Sequence, residues 1–131
     1  MDSTKRSDSQ KLQSIVDDFV QNALEFSSTR RQKDFVAGNK FAKKLAKLGA
    51  LLRHDFGEFG RSALADLMKH ENPTVRGIAA SDSLDFSPDK AESVLESIAK
   101  DNLFLDSHSA EYALKEWRAG RKEFPGGPVA K

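Results

Sequence analysis

The chain has 131 residues, about one domain's worth, of which 38% are hydrophobic and 31% charged, and its formal net charge is +1. Charges of both signs spread along it exclude a strongly charged disordered chain, and no apolar run approaches the roughly 18 to 20 residues that cross a bilayer. There is no cysteine, which excludes disulfide and thiolate chemistry; residues 1–10 hold no apolar segment of the secretory kind, so cytoplasmic residence with no membrane contact is the expectation.

Residues 1–9 are polar and are expected to fray as a disordered tail ahead of one helical domain over 10–120, with an irregular tail over 121–131. Leu12, Ile15, Val16, Phe19, Val20, Ala23 and Leu24 follow the spacing of one helical face and place helix one over about 9–26. Ser27, Ser28 and Thr29 offer a break and a new N-cap. A longer helix two follows, with Phe35, Phe41, Ala42, Leu45, Leu48 and Leu52 on one side, reaching about residue 54. The pair Gly38-Asn39 is expected to kink or split it.

Residues 56–60 read as a loop anchored by Phe56 and Phe59, after which helix three runs to about His70. Asn72-Pro73 is a strong helix start, since asparagine caps free amides and proline needs no partner in the first turn; helix four reaches about Leu84. Ser87-Pro88 repeats the device for helix five, which ends near Lys100. The bridge over 101–106 is apolar. Asp106 or Ser107 can cap a sixth helix carrying Ala110, Ala113, Leu114 and Trp117, and Gly120 ends it. No period-2 stretch competes.

From Arg61 to Trp117 the chain repeats itself at an offset of thirty-one residues: Ala63, Leu64, Leu67, Met68 and Ala79 are answered by Val94, Leu95, Ile98, Ala99 and Ala110. A helical hairpin that recurs must stack on its neighbours to bury its apolar face. The predicted fold is therefore all-α, a right-handed α-α superhelix of about six helices in three antiparallel hairpins, one with two, three with four and five with six. Its expected core includes Ile15, Phe19, Phe41, Leu45, Leu64, Leu67, Ile78, Leu95, Ile98, Leu114 and Trp117.

Residues 72–80, Asn-Pro-Thr-Val-Arg-Gly-Ile-Ala-Ala, resemble a HEAT repeat, whose inter-helix turn runs from a polar residue and proline to valine and arginine before an alanine-rich second helix. The second round departs from it: Phe104 stands where Pro73 does, and Ser107 where Arg76 does. Residues 10–125 are also similar to a family of small, uncharacterised bacterial HEAT-like proteins that end in an Ala-Leu-x-x-Trp helix and a Phe-Pro tail, as at Ala113, Leu114, Trp117, Phe124 and Pro125. The resemblance implies fold, bacterial origin and cytoplasmic residence. It carries no activity and transfers no functional residue.

Charge gives the clearest partner clue. Residues 1–65 carry 12 basic and 8 acidic side chains, and residues 66–131 carry 9 and 12. Within the basic half, Lys40, Lys43, Lys44 and Lys47 share one helix face. The simplest reading of that stripe is the solvated side of helix two; an acidic protein surface or nucleic-acid phosphates would give it more to do. A sequence pI of about 8.0 lies below the basic range of nucleic-acid modules. Arg76 either packs structurally, as in HEAT turns, or grips a partner's carboxylate.

His54 and His70 fall at helix C-termini, His108 opens helix six, and the three make no metal motif. Asp82, Asp85 and Asp89 cluster at the turn between helices four and five, ordinary positions for aspartate. Trp117, at an apolar helical position, reads as core. With no phosphate loop or nucleophile pair, no catalytic residue, cofactor or metal is expected. The functional expectation is a non-enzymatic protein-binding module, an adaptor or an immunity-type inhibitor, that contacts its partner through the second helices with Lys40, Lys43, Lys44, Lys47 and Arg76. The alternatives are a nucleic-acid binder using the lysine face, and a homo-oligomeric structural protein such as a homodimer.

Overall fold

In the computed structural model, which describes residues 3–129 with side chains from Asp8 onward, every stretch of three- and four-residue apolar spacing is helical. Among the described residues there are six α-helices and no strand: α1 (Ser3–Arg31), α2 (Phe35–Ala50), α3 (Gly57–Leu67), α4 (Pro73–Asp82), α5 (Pro88–Lys100) and α6 (Phe104–Arg118). A π-helical turn, Leu51–Asp55, continues α2.

Several expected boundaries move, each for a local reason. The expected tail is helical from Ser3, and Met1 and Asp2 lie outside the described residues. Residues 27–29 do not break α1, because the Thr29 hydroxyl donates back to the Phe26 carbonyl (2.8 Å) and spares the helix a competing cap. The chain reverses instead at Lys33 (φ 60°), and Asp34 caps α2 by accepting from the Ala37 amide. Gly38 lies in the first turn of α2 without splitting it.

The expected loop over 56–60 is mostly the start of α3, and Phe59 is 78% exposed rather than an anchor. Its glycine serves close packing. A Cβ on Gly60 would lie 2.2 Å from the Leu52 carbonyl oxygen, so α3 can rest on the π-helical turn only with glycine there. Farther along, Asn72 accepts from the Thr74 and Val75 amides with Pro73 at the first position of α4, as its sequence signature requires.

The second hairpin reaches the same result by other chemistry. In the first, Arg76 donates to the His70 and Glu71 carbonyls and ties α4 to the end of the preceding helix. In the second, α6 starts at Phe104, ahead of the expected caps, and Ser107 donates to the Ile98 carbonyl (2.7 Å) while accepting from the Leu103 amide (2.6 Å). Asp106 caps nothing and accepts the Thr74 hydroxyl of α4 (2.8 Å). Without a proline at 104, the turn passes through positive φ at Asn102 (54°) and Phe104 (47°).

Helices pack in the expected pairs, α1 with α2, α3 with α4 and α5 with α6, and α4 also lies against α1, α5 and α6. Leu64 and Leu95, Leu67 and Ile98, and Ala79 and Ala110 are buried in matching pairs, so the thirty-one-residue echo is an echo of burial. Phe19, Leu45 and Leu114 join that core; Ile15, Ile78 and Trp117 are only partly buried at its margin, and Phe41, expected in the core, is half-buried outside it with Lys44 over its ring.

Candidate functional site

α4 lies at the centre of one face, against α1 and α6, and the second helices α2, α4 and α6 all contribute to that face together with α1. Three confluent clefts run along it. The first, about 420 Å³, lies between Phe26 and Arg30 of α1, Ile78 and Asp82 of α4, and Asp106, Ser109 and Ala113 of α6. The second, also about 420 Å³, continues past Phe26, Ile78 and Asp82 to Ala42 and Leu45 of α2 and to Lys122 and Phe124 of the C-terminal tail. A third of about 760 Å³ spans Ser81, His108, Tyr112, Glu116 and Arg121. Together they form a trough crossing α1, α4 and α6.

Asp82 lies at its floor, shared by the first two clefts. It is 6% exposed, and among the described residues its carboxyl oxygens accept no hydrogen bond from the protein. Burial pushes this carboxyl up to about 7, although the charges of Lys122 and Arg53 pull the other way. The same burial, only partly opposed by Asp82, holds the Lys122 ammonium below its ordinary value. The carboxyl also packs against α2: a Cβ on Gly49 would lie 2.8 Å from Asp82 Oδ2.

The tail that closes one end of the trough is held by Arg53. This side chain is 0% exposed. Its Nε donates to the Pro125 carbonyl, its two terminal nitrogens make a bidentate pair with Asp85 (both 2.8 Å), and the remaining donors reach the Asp82 and Gly127 carbonyls. All five N–H groups are satisfied. Its guanidinium also lies 4.5 Å over the Phe124 ring and 5.9 Å from that of Phe86. The Val129 amide donates to Asp85 (2.9 Å), and His54 meets the Gly127 carbonyl (3.0 Å). For Asp85, burial raises the carboxyl, but hydrogen bonds from Arg53 and Val129 outweigh it and the net shift is downward.

The residues singled out from sequence sit elsewhere. Lys40, Lys43, Lys44 and Lys47 are all exposed on α2, and Lys44 lies 5.5 Å over the ring of Phe41. Arg76 is half-buried, with its guanidinium on the carbonyls that end the preceding turn. The Asp82–Asp85 cluster was visible in the sequence, but its division into a paired and an unpaired carboxyl was not. One signal was present: in the thirty-one-residue register Asp82 falls where the second round has Ala113, a buried position.

No helix of the described residues is long and apolar enough to cross a membrane. No curated protein and no solved structure matches the chain. A family model described as a domain of unknown function (DUF2019) matches residues 13–117, which takes in most of α1 and every later helix almost to the end of α6. The chain therefore belongs to the DUF2019 family.

Proposed function

We propose that the protein is a non-enzymatic, protein-binding helical scaffold, an adaptor or an immunity-type inhibitor, which takes a segment of its partner along the trough on α1, α4 and α6. In this reading the hairpins stack as a HEAT-like right-handed superhelix and the protein works in the bacterial cytoplasm. The supporting observation is the trough itself: it is elongated, open along its length, apolar on its walls through Phe26, Ile78 and Ala113, and polar at intervals through Ser81, Asp82 and Ser109. An extended or helical segment suits that shape, because apolar walls supply area and spaced polar groups fix register.

The lysine face stands as an outer contact in this proposal, exposed on the far flank of α2. Arg76 serves the fold by holding the α3–α4 turn. Two variants separate the surfaces once a partner is purified. Ser81→Trp fills the trough from its floor, and the joint reversal of Lys40, Lys43, Lys44 and Lys47 to glutamate changes only the stripe. The proposal expects the first to abolish binding and the second to weaken it mildly, in a salt-dependent way. Binding that survives Ser81→Trp and vanishes on charge reversal would overturn it.

A further inference from the structure

Asp82 asks for an explanation that the fold does not supply. Its oxygens take no hydrogen bond from the described residues, and because no fully buried side-chain polar atom among those residues lacks a partner they keep contact with the open cleft, whereas the second round of the repeat fills the same place with Ala113. Arg53 uses its donors on the Asp82 backbone and on Asp85, not on the Asp82 side chain. Lys122 donates to the Glu123 carbonyl, sits 4.7 Å over the Phe124 ring, and belongs to the tail side of the trough. Both cations face the Asp82 carboxyl with their charge, but neither donates a hydrogen bond to it.

The cleft between α1, α4 and α6 has the complementary form. Its apolar lining includes Phe26, Ile78 and Ala113, and Lys122 does not line it. Its one cation, Arg30, is already bound to the Leu105 carbonyl and the Ser109 hydroxyl and is opposed by Asp106. The cleft thus combines aliphatic and aromatic walls with one carboxyl that accepts no hydrogen bond from the described residues.

We infer that this cleft receives one lysine or arginine side chain of the bound partner, its aliphatic stem along Phe26 and Ile78 and its cationic head on Asp82. Long basic side chains combine such a stem with such a head. The inference rests on the trough reading and names what it recognises. Because the carboxyl must be ionised to accept the cation, binding weakens as pH falls through about 7, with Lys122, Arg53 and Asp85 the charges that face Asp82 from the tail, the π-helical turn and the α4–α5 turn.

The test uses n-butylammonium and n-butylguanidinium as probes, with n-butanol as the uncharged control, and reads the Asp82 carboxyl ¹³C resonance and the Ile78 and Ser81 amides by NMR. Saturable shifts with the two cations, a lower Asp82 titration midpoint in their presence, and none of this with butanol are expected. In Asp82→Asn, which keeps size and shape, cation binding should fall about tenfold, as expected for losing one charge-assisted hydrogen bond. Equal shifts with butanol, equal binding to Asp82→Asn, or no saturable shift would each overturn the inference. The trough reading has its own readout in Ser81→Trp and would survive such a failure.

Discussion

Arg53 and Asp85 form a bidentate pair, both contacts 2.8 Å, across an arginine with no exposed surface and an aspartate side chain that is 11% exposed. A buried pair is weak evidence of net stability, since desolvation offsets attraction; breaking one from one side leaves an unpaired charge. Arg53→Ala is therefore expected to destabilise by about 3–5 kcal/mol. Arg53→Lys should recover little of this, because a lysine cannot fill five acceptors in a fixed plane. Urea unfolding of both variants checks the pair.

The tail takes its place from the same guanidinium. Ending the chain after Glu123 removes the Phe124 ring and the Pro125 and Gly127 carbonyls that Arg53 uses, and the edge-on contact of Phe124 with Trp117 at 6.1 Å. The truncated protein is expected to lose about 2–4 kcal/mol, from two charge-assisted hydrogen bonds and one cation–π contact. A chain of unchanged midpoint would show that the tail is ornamental to the fold.

Stability should also depend on pH in a way that separates the two aspartates. Asp82 is raised in the folded protein to about 7 from 3.8, so between those values the native state holds a proton that the unfolded state has released. Stability accordingly falls as pH rises through that window, by on the order of 2–4 kcal/mol in all. Asp85 is lowered, so its contribution is present above the unfolded value and is lost as pH falls through the folded one. Asp82→Asn should be more stable than wild type at pH 8 and lose that advantage toward pH 4, as measured by denaturation across the range.

Gly49 and Asp82 should fail to add. A Cβ on Gly49 would meet Asp82 Oδ2 at 2.8 Å and Pro125 at 3.3 Å. Gly49→Ala is expected to cost about 1–3 kcal/mol by overpacking, and clearly less when Asp82 is already alanine. Additive effects would mean that the clash is relieved elsewhere.

Apolar periodicity and the two Asn/Ser-Pro starts made the helices legible, because both act locally and every later contact agrees with them. What escaped were features set by distant partners. Gly60 looked like a loop residue until the Leu52 carbonyl lay against it, and nothing local to Arg53 announces the five acceptors that the end of α4, the α4–α5 turn and the tail supply to it. Ser27, Ser28 and Thr29 looked like a cap, yet the Thr29 hydroxyl turned back into its own helix. At the site, the sequence brought Asp82 and Asp85 to one turn, but only packing leaves one of them without a donor.

The central claim is that the partner lies in the trough. The most direct measurement places a photo-crosslinking benzoylphenylalanine at Tyr112, on the open rim of the trough and 65% exposed, or at Lys43 on the lysine face, and irradiates the protein in its host. One discrete protein adduct is expected from position 112, lost when Ser81→Trp fills the trough, and none of comparable yield from position 43. An adduct from position 43 with none from position 112 would contradict the claim.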